Sequence, residues 1–263
     1  MKKIISDRLP YSTLLLYFSS KDNNEIFSTG TGFFFKKKEN DLDEYIISNR
    51  HLIIDQDNLT VKLHCSDSTF KKPNNKEFKI QNINKYVIFH PDDDIDLCAI
   101  NFSKIKMDRN LPDFNIEYFL ENQIPTEIEL EQLSSIEDIL MIGYPNGLSD
   151  TRNNFPLVRR GITATNVNID YNGSPKFLID ISSYDGSSGS PVIKYDEGNY
   201  TNKFGVGIGG GRFYFLGILY DSGVDFDDMN EAQKENYLNI GYVIKSSEIK
   251  KLLNQGVTYG TKN

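Results

Sequence analysis

The chain has 263 residues, 38% of them hydrophobic, enough apolar material for one large core or two small ones. Its formal net charge of −8 disfavours a duplex nucleic-acid binder, which needs a basic face to displace counterions from phosphates. With only Cys65 and Cys98 it carries no disulfide framework, which points to a reducing compartment, the cytoplasm.

In chain order, "MKKIISDRLPYSTLLLYFSS" imitates a secretion signal, with lysines ahead of apolar residues. Asp7, Arg8 and Pro10 interrupt it, no small-residue cleavage site follows, and no apolar run reaches the roughly 18 residues of a membrane span. The expectation is a soluble protein with no membrane contact, whose first strand is 13–20. Further strands are predicted at 30–37, 44–49, 59–65, 77–89 and 95–102, each rich in β-branched and aromatic residues and bounded by Asn, Asp, Gly or Pro. A polar connector follows over 106–135, with room for a short helix. A second set of strands is predicted at 138–145, 156–170, 175–182, 190–195, 213–221 and 239–246. "SSEIKKLLNQG" then has the serine cap, helical spacing and terminal glycine of a closing helix at 247–255. Strands without intervening helices exclude a βαβ architecture. The fold class expected is all-β: two six-stranded antiparallel barrels, about 10–105 and 136–246, with a cleft between them and a C-terminal helix. A junction of that kind is a common place for a site.

The segment "DGSSGSPVI" (185–193) packs Ser187, Ser188 and Ser190 among Gly186, Gly189 and Pro191. A serine nucleophile needs a general base and preorganised N–H donors for the developing oxyanion. Glycine beside it lets main-chain amides turn inward. The G-x-S-x-G elbow fails here, because position 190 is serine and no strand–helix unit surrounds it. The pattern G-x-S-G-[GS]-P fits instead and selects Ser188.

"GSSGSP" resembles the active-site loop of chymotrypsin-like serine proteases, particularly bacterial trypsin-like members. "YIISNRHLI" resembles that family's strand-to-histidine segment and "IDLCAINF" its aspartate strand. The order His51, Asp96, Ser188 is the family's order. The resemblance implies that Ser188 is the nucleophile, His51 the base and Asp96 the orienting carboxylate. Asp94 is the rival for the last role, since "DDDID" offers both. It also implies an oxyanion hole from the N–H groups of Gly186 and Ser188. A first specificity pocket would be based on Ser182 and Ser183, with walls at Tyr220, Asp221, Ser222 and Gly241. Protein or peptide substrates are implied, with no cofactor and no metal, and the residue preference before the scissile bond stays open. In the animal digestive enzymes of the family, an aspartate before the nucleophile pairs with a newly released α-amino group. Here that position is Ser187, so the loop is expected to be held by its own hydrogen bonds and neighbouring strands, or switched by a regulatory protein partner.

Other conspicuous residues have plainer readings. His64 and His90 read as structural or exposed, and with the cysteines they make no zinc-ligand spacing. "GVGIGGG" at 205–211 reads as a hairpin loop, since it precedes a strand rather than a helix. The acidic stretches at 92–94 and 221–231 lack the central glycine of a calcium loop. Arg159 and Arg160 read as strand-face charges. Two rival functions use the same residues: a catalytically silent binding module on this fold, and an esterase or acyl transferase.

Overall fold

Phe33, Phe34 and Phe35 are all at most 2% exposed, although successive side chains of a strand point to opposite faces. A strand of this kind has a core on each side, and that is how the chain is built. The computed structural model describes residues 5–20, 26–69, 71–221 and 239–258. Its first half contributes β1 (Thr13–Ser19), β2 (Ile26–Lys36), β3 (Tyr45–Ser48), β4 (Asn58–His64), β5 (Asn75–Gln81), β6 (Val87–Phe89), β7 (Cys98–Asn101) and β8 (Phe119–Leu120). The second half contributes β9 (Asp138–Gly143), β10 (Leu157–Thr163), β11 (Lys176–Asp180), β12 (Pro191–Asp196), β13 (Tyr200–Thr201), β14 (Gly207–Ile208), β15 (Arg212–Asp221), β16 (Ile240–Lys245) and β17 (Val257–Thr258).

The second half closes as expected, into a six-stranded barrel in the order β10-β11-β16-β15-β12-β9. Among the described residues the first half does not show the expected closure into a six-stranded barrel. It is a nine-stranded sheet running β17-β6-β7-β3-β2-β1-β4-β5, and β8 joins it parallel to β2. Asn82 explains part of this difference. Its left-handed backbone (φ 55°) opens a 3₁₀ turn over Ile83–Tyr86 and breaks the predicted 77–89 strand into β5 and β6. β5 then pairs with β4, while β6 pairs with β7 and with β17 from the far end of the chain.

The connector is more ordered than its polarity suggests. A helix spans Phe102–Arg109, capped by the Asn101 side chain on Lys104 N–H and ended by left-handed Asn110. Thr126 and Glu129 form a capping box for a second short helix, Glu127–Glu131. The closing helix is Glu248–Gln255, and Ile249 and Leu252 on it are fully buried. Among the described residues no helix is long and apolar enough to cross a membrane.

Three apolar clusters result. One fills the concave side of the first sheet, with Leu16, Phe18, Phe34, Ile46 and Ile100. One fills the barrel, with Met141, Phe177, Ile179, Val192 and Val243. The third joins the halves: Phe33, Phe35 and Ile47 meet Ile142, Ile193, Phe215 and Ile244, with Ile249 and Leu252 from the closing helix. This shared layer brings the loops after β3 and before β12 to one place.

Candidate active site

The β3–β7 register accounts for the meeting of His51 and Asp96. Ser48 lies opposite Cys98 in this antiparallel pair, so the chain leaving β3 runs beside the chain entering β7. A turn closed by the N–H groups of Ile53 and Ile54 on Arg50 O follows β3 and carries His51. Asp96 Oδ1 accepts the His51 main-chain N–H at 2.8 Å, and Asp96 Oδ2 lies 2.5 Å from His51 Nδ1. A carboxylate at Nδ1 keeps the proton of a neutral imidazole there and leaves Nε2 as the acceptor. Asn49 Nδ2 donates to Asp96 O at 2.8 Å and holds the carboxylate's own backbone. Asp94, the rival, is exposed, and its N–H donates to Asp92 Oδ1. Asp93 pairs instead with Arg50, whose guanidinium lies over Phe89.

Behind this pair Cys98 is fully buried, its Sγ 3.5 Å from Ser48 O and 3.4 Å from Asn49 O. Burial pushes its thiol well above the ordinary range, so it packs as a neutral group.

The three serines separate by accessibility. Ser187 and Ser190 are 0% exposed, whereas Ser188 is partly accessible. Ser187 N–H donates to Tyr184 O at 2.9 Å, and Ser187 Oγ accepts from Tyr184 N–H at 3.4 Å. Ser190 Oγ is wedged against Gly143, where an added Cβ would stand 2.0 Å away. The main chain around Ser188 is fixed from several sides. Asn146 N–H donates to Asp185 O at 2.5 Å and Ser190 N–H to Ser187 O at 3.0 Å. In a planar trans peptide the N–H points opposite to the carbonyl, so the N–H groups of Gly186 and Ser188 are turned away from those donors. Gly186 (φ +80°) and Gly189 (φ +87°) occupy the left-handed region that such a tight loop requires.

The serine loop also touches the strand that leads to His51. Thr31 N–H donates to Ser188 O at 2.8 Å, and Ser48 Oγ donates to Thr31 O at 2.8 Å. A Cβ on Gly189 would stand 2.7 Å from Ser48 Oγ, three residues before His51. Among the described residues no hydrogen bond joins Ser188 Oγ to His51, whose side chain is 48% exposed.

Of the expected pocket residues, Ser183 is buried, while Ser182 and Tyr220 are partly exposed. Ser182 O accepts from Arg159 Nη1, and that guanidinium lies 5.4 Å from the Tyr184 ring. Tyr220 has Lys176 Nζ 4.9 Å from its ring centre and Tyr242 at its edge. Gly241 backs into the barrel core, where a Cβ would stand 2.8 Å from Leu219 Cδ1. Asp221 ends β15, and Ser222 lies outside the described residues, as does the rest of the acidic stretch to 231.

His64 is buried between Tyr11 and Phe155, and His90 lies 3.3 Å from Glu248 on the closing helix. Both are therefore packing residues rather than exposed ones. Arg160 pairs with Asp138, a strand-face charge as expected, whereas Arg159 reaches the site. Thr31 and Asn146 also reach it, and neither carried a chemical signature in the sequence. The glycines flanking Thr31 in "GTGFF" were its only mark.

No curated protein matches the chain. The model of the trypsin-like peptidase domain matches residues 30–200, a span that contains Thr31, His51, Asp96 and Ser188, and the chain belongs to that family.

Proposed function

We propose that the protein is a serine endopeptidase working through His51, Asp96 and Ser188. The observation that carries this reading is the Asp96 carboxylate on His51 Nδ1, made by the loop ends of paired strands. Ser188 Oγ attacks the scissile carbonyl while His51 Nε2 takes its proton. Asp96 keeps the imidazole in the productive tautomer and stabilises the imidazolium. The N–H groups of Gly186 and Ser188 receive the oxyanion. His51 returns the proton to the leaving amine, and water then hydrolyses the acyl-enzyme by the same proton path.

The first side-chain pocket is assigned to Ser182, Ser183, Tyr220, Asp221, Ser222 and Gly241. A cytoplasmic location belongs to the same proposal and is supported by two free, buried cysteines, Cys65 and Cys98. A fluorophosphonate label tests the nucleophile without a known substrate, because it reacts with activated serines. Wild type is expected to label and Ser188→Ala to lose labelling while keeping its thermal transition. With a cleavable peptide found from a library, Asp96→Asn should lower kcat on the order of 10⁴-fold and Asp94→Asn should leave it unchanged. Labelling retained in Ser188→Ala, or a crippled Asp94→Asn, would overturn the assignment.

A further inference from the structure

We propose that Thr31, on a strand of the first half, is the positioning residue that holds the 185–188 main chain of the second half in its oxyanion-binding shape. The inference rests on the serine-peptidase reading of Ser188 and goes beyond it. Thr31 is 0% exposed and sits on β2 opposite Leu15 of β1. A threonine hydroxyl has one proton to give and lone pairs to receive. Here Thr31 Oγ1 donates to Gly186 O at 2.9 Å and accepts Tyr144 N–H at 3.2 Å. Its main-chain N–H donates to Ser188 O at 2.8 Å.

With the Asn146 bond to Asp185 O and the Ser190 bond to Ser187 O, each carbonyl from 185 to 188 has a donor. Thr31 supplies two of these bonds and also fixes Tyr144, which leads into the turn that carries Asn146. The hydroxyl therefore links both supports of the Asp185–Gly186 peptide, whose N–H is assigned to the oxyanion.

Glycine makes such a hold necessary. Gly186 has no Cβ, so its φ and ψ are free to leave the left-handed region unless its neighbours are tied. A Cβ at Gly186 would stand 2.6 Å from Tyr144 O, so bulk cannot restrict the position instead. A hydroxyl from the facing strand restricts it without filling the space. Ser187 carries no charge with which to tie the loop by an ion pair, and the tie comes across the two halves of the molecule.

The test compares Thr31→Val, an isostere without the hydroxyl, with Thr31→Ser, which keeps it. The readout is the second-order rate of fluorophosphonate labelling across pH, at temperatures well below each variant's melting point. Thr31→Val should label about 10- to 100-fold more slowly, less than the loss of an oxyanion donor itself, about 10²–10³-fold. Its pH midpoint should match wild type, because the hydrogen bonds of Thr31 run to Gly186, Ser188, Tyr144 and Ser48 rather than to His51, and Thr31→Ser should restore the rate to within about threefold. Loss of stability alone would lower the melting temperature and leave the rate of the folded protein unchanged. Thr31→Ala, which leaves room for a bridging water, is the second variant if Thr31→Val does not fold, with the same slower rate expected. A reactive wild type with an equally reactive Thr31→Val or Thr31→Ala overturns this proposal alone. An unreactive wild type overturns the reading of Ser188 and this proposal with it.

Discussion

Burial pushes the His64 imidazole down to about 4, so it stays neutral in the folded protein through the mildly acidic range. Tyr11 meets it at 4.7 Å between ring centres and Phe155 at 5.2 Å, and nearby Lys62 adds to the shift. In the unfolded chain an imidazole takes up its proton near 6.5. Between those two values the unfolded state binds more protons, so stability falls as pH falls. The contribution is complete above about pH 6.5 and lost on approach to pH 4, in total on the order of 3 kcal/mol. Denaturation midpoints from pH 7.5 to 4 should show wild type losing more stability than His64→Phe. Parallel losses in the two proteins would show that His64 is not the group responsible.

At the scale of elements, the barrel is closed partly by a compact ion cluster joining the start of β9 to β12 and β15. Lys194 Nζ lies 3.0 Å from Glu137 Oε2 and 3.1 Å from Asp196 Oδ1. Arg212 reaches the same two carboxylates at 3.3 and 2.7 Å, with its guanidinium 4.3 Å from the Tyr200 ring centre. Lys194, Arg212 and Glu137 are all under 9% exposed. Two cations and two anions balance, and removing one leaves a buried charge without its partner. Glu137→Ala should therefore cost about 3–5 kcal/mol by urea denaturation. Replacing both members, Glu137→Leu with Lys194→Met, should be less damaging than Glu137→Ala. A double variant worse than the single one would mean that the cluster is worth more as an ion network than as packing.

Across the whole molecule, the apolar layer shared by the halves predicts that they unfold together. Leu252 on the closing helix is buried in that layer with Phe33 and Phe35 from the first half and Phe215 and Ile244 from the second. Truncating it opens a cavity in that layer, at about 2–5 kcal/mol for a buried Leu→Ala. Leu252→Ala should lower the midpoint of a single transition seen equally by far-ultraviolet circular dichroism and by tyrosine fluorescence. Two separated transitions would show that the halves fold independently.

Most strand positions were legible in the sequence, because a two-residue apolar period and turn residues act locally. β1, β3, β4, β12, β15 and β16 fall within about a residue of their predicted spans, and β9 ends two residues short of its own. The sequence also carried the order of His51, Asp96 and Ser188, and the closing helix through its apolar spacing, although the expected Ser247 cap makes no side-chain hydrogen bond and Gly256 is not left-handed. The Phe102–Arg109 helix was hidden because its stabilisation comes from caps and from two residues, Phe102 and Ile105, buried against the first sheet. Long-range pairing, not local pattern, adds β17 to the first-half sheet, since it reaches β6 from more than 160 residues away. Only the tertiary structure decided which serine is accessible and that Asp96, not Asp94, meets His51. The tie from Thr31 to Gly186 and Ser188 belongs to the same class. Each is a hydrogen bond or contact between groups distant in the chain, and such pairings leave no periodic trace in a sequence.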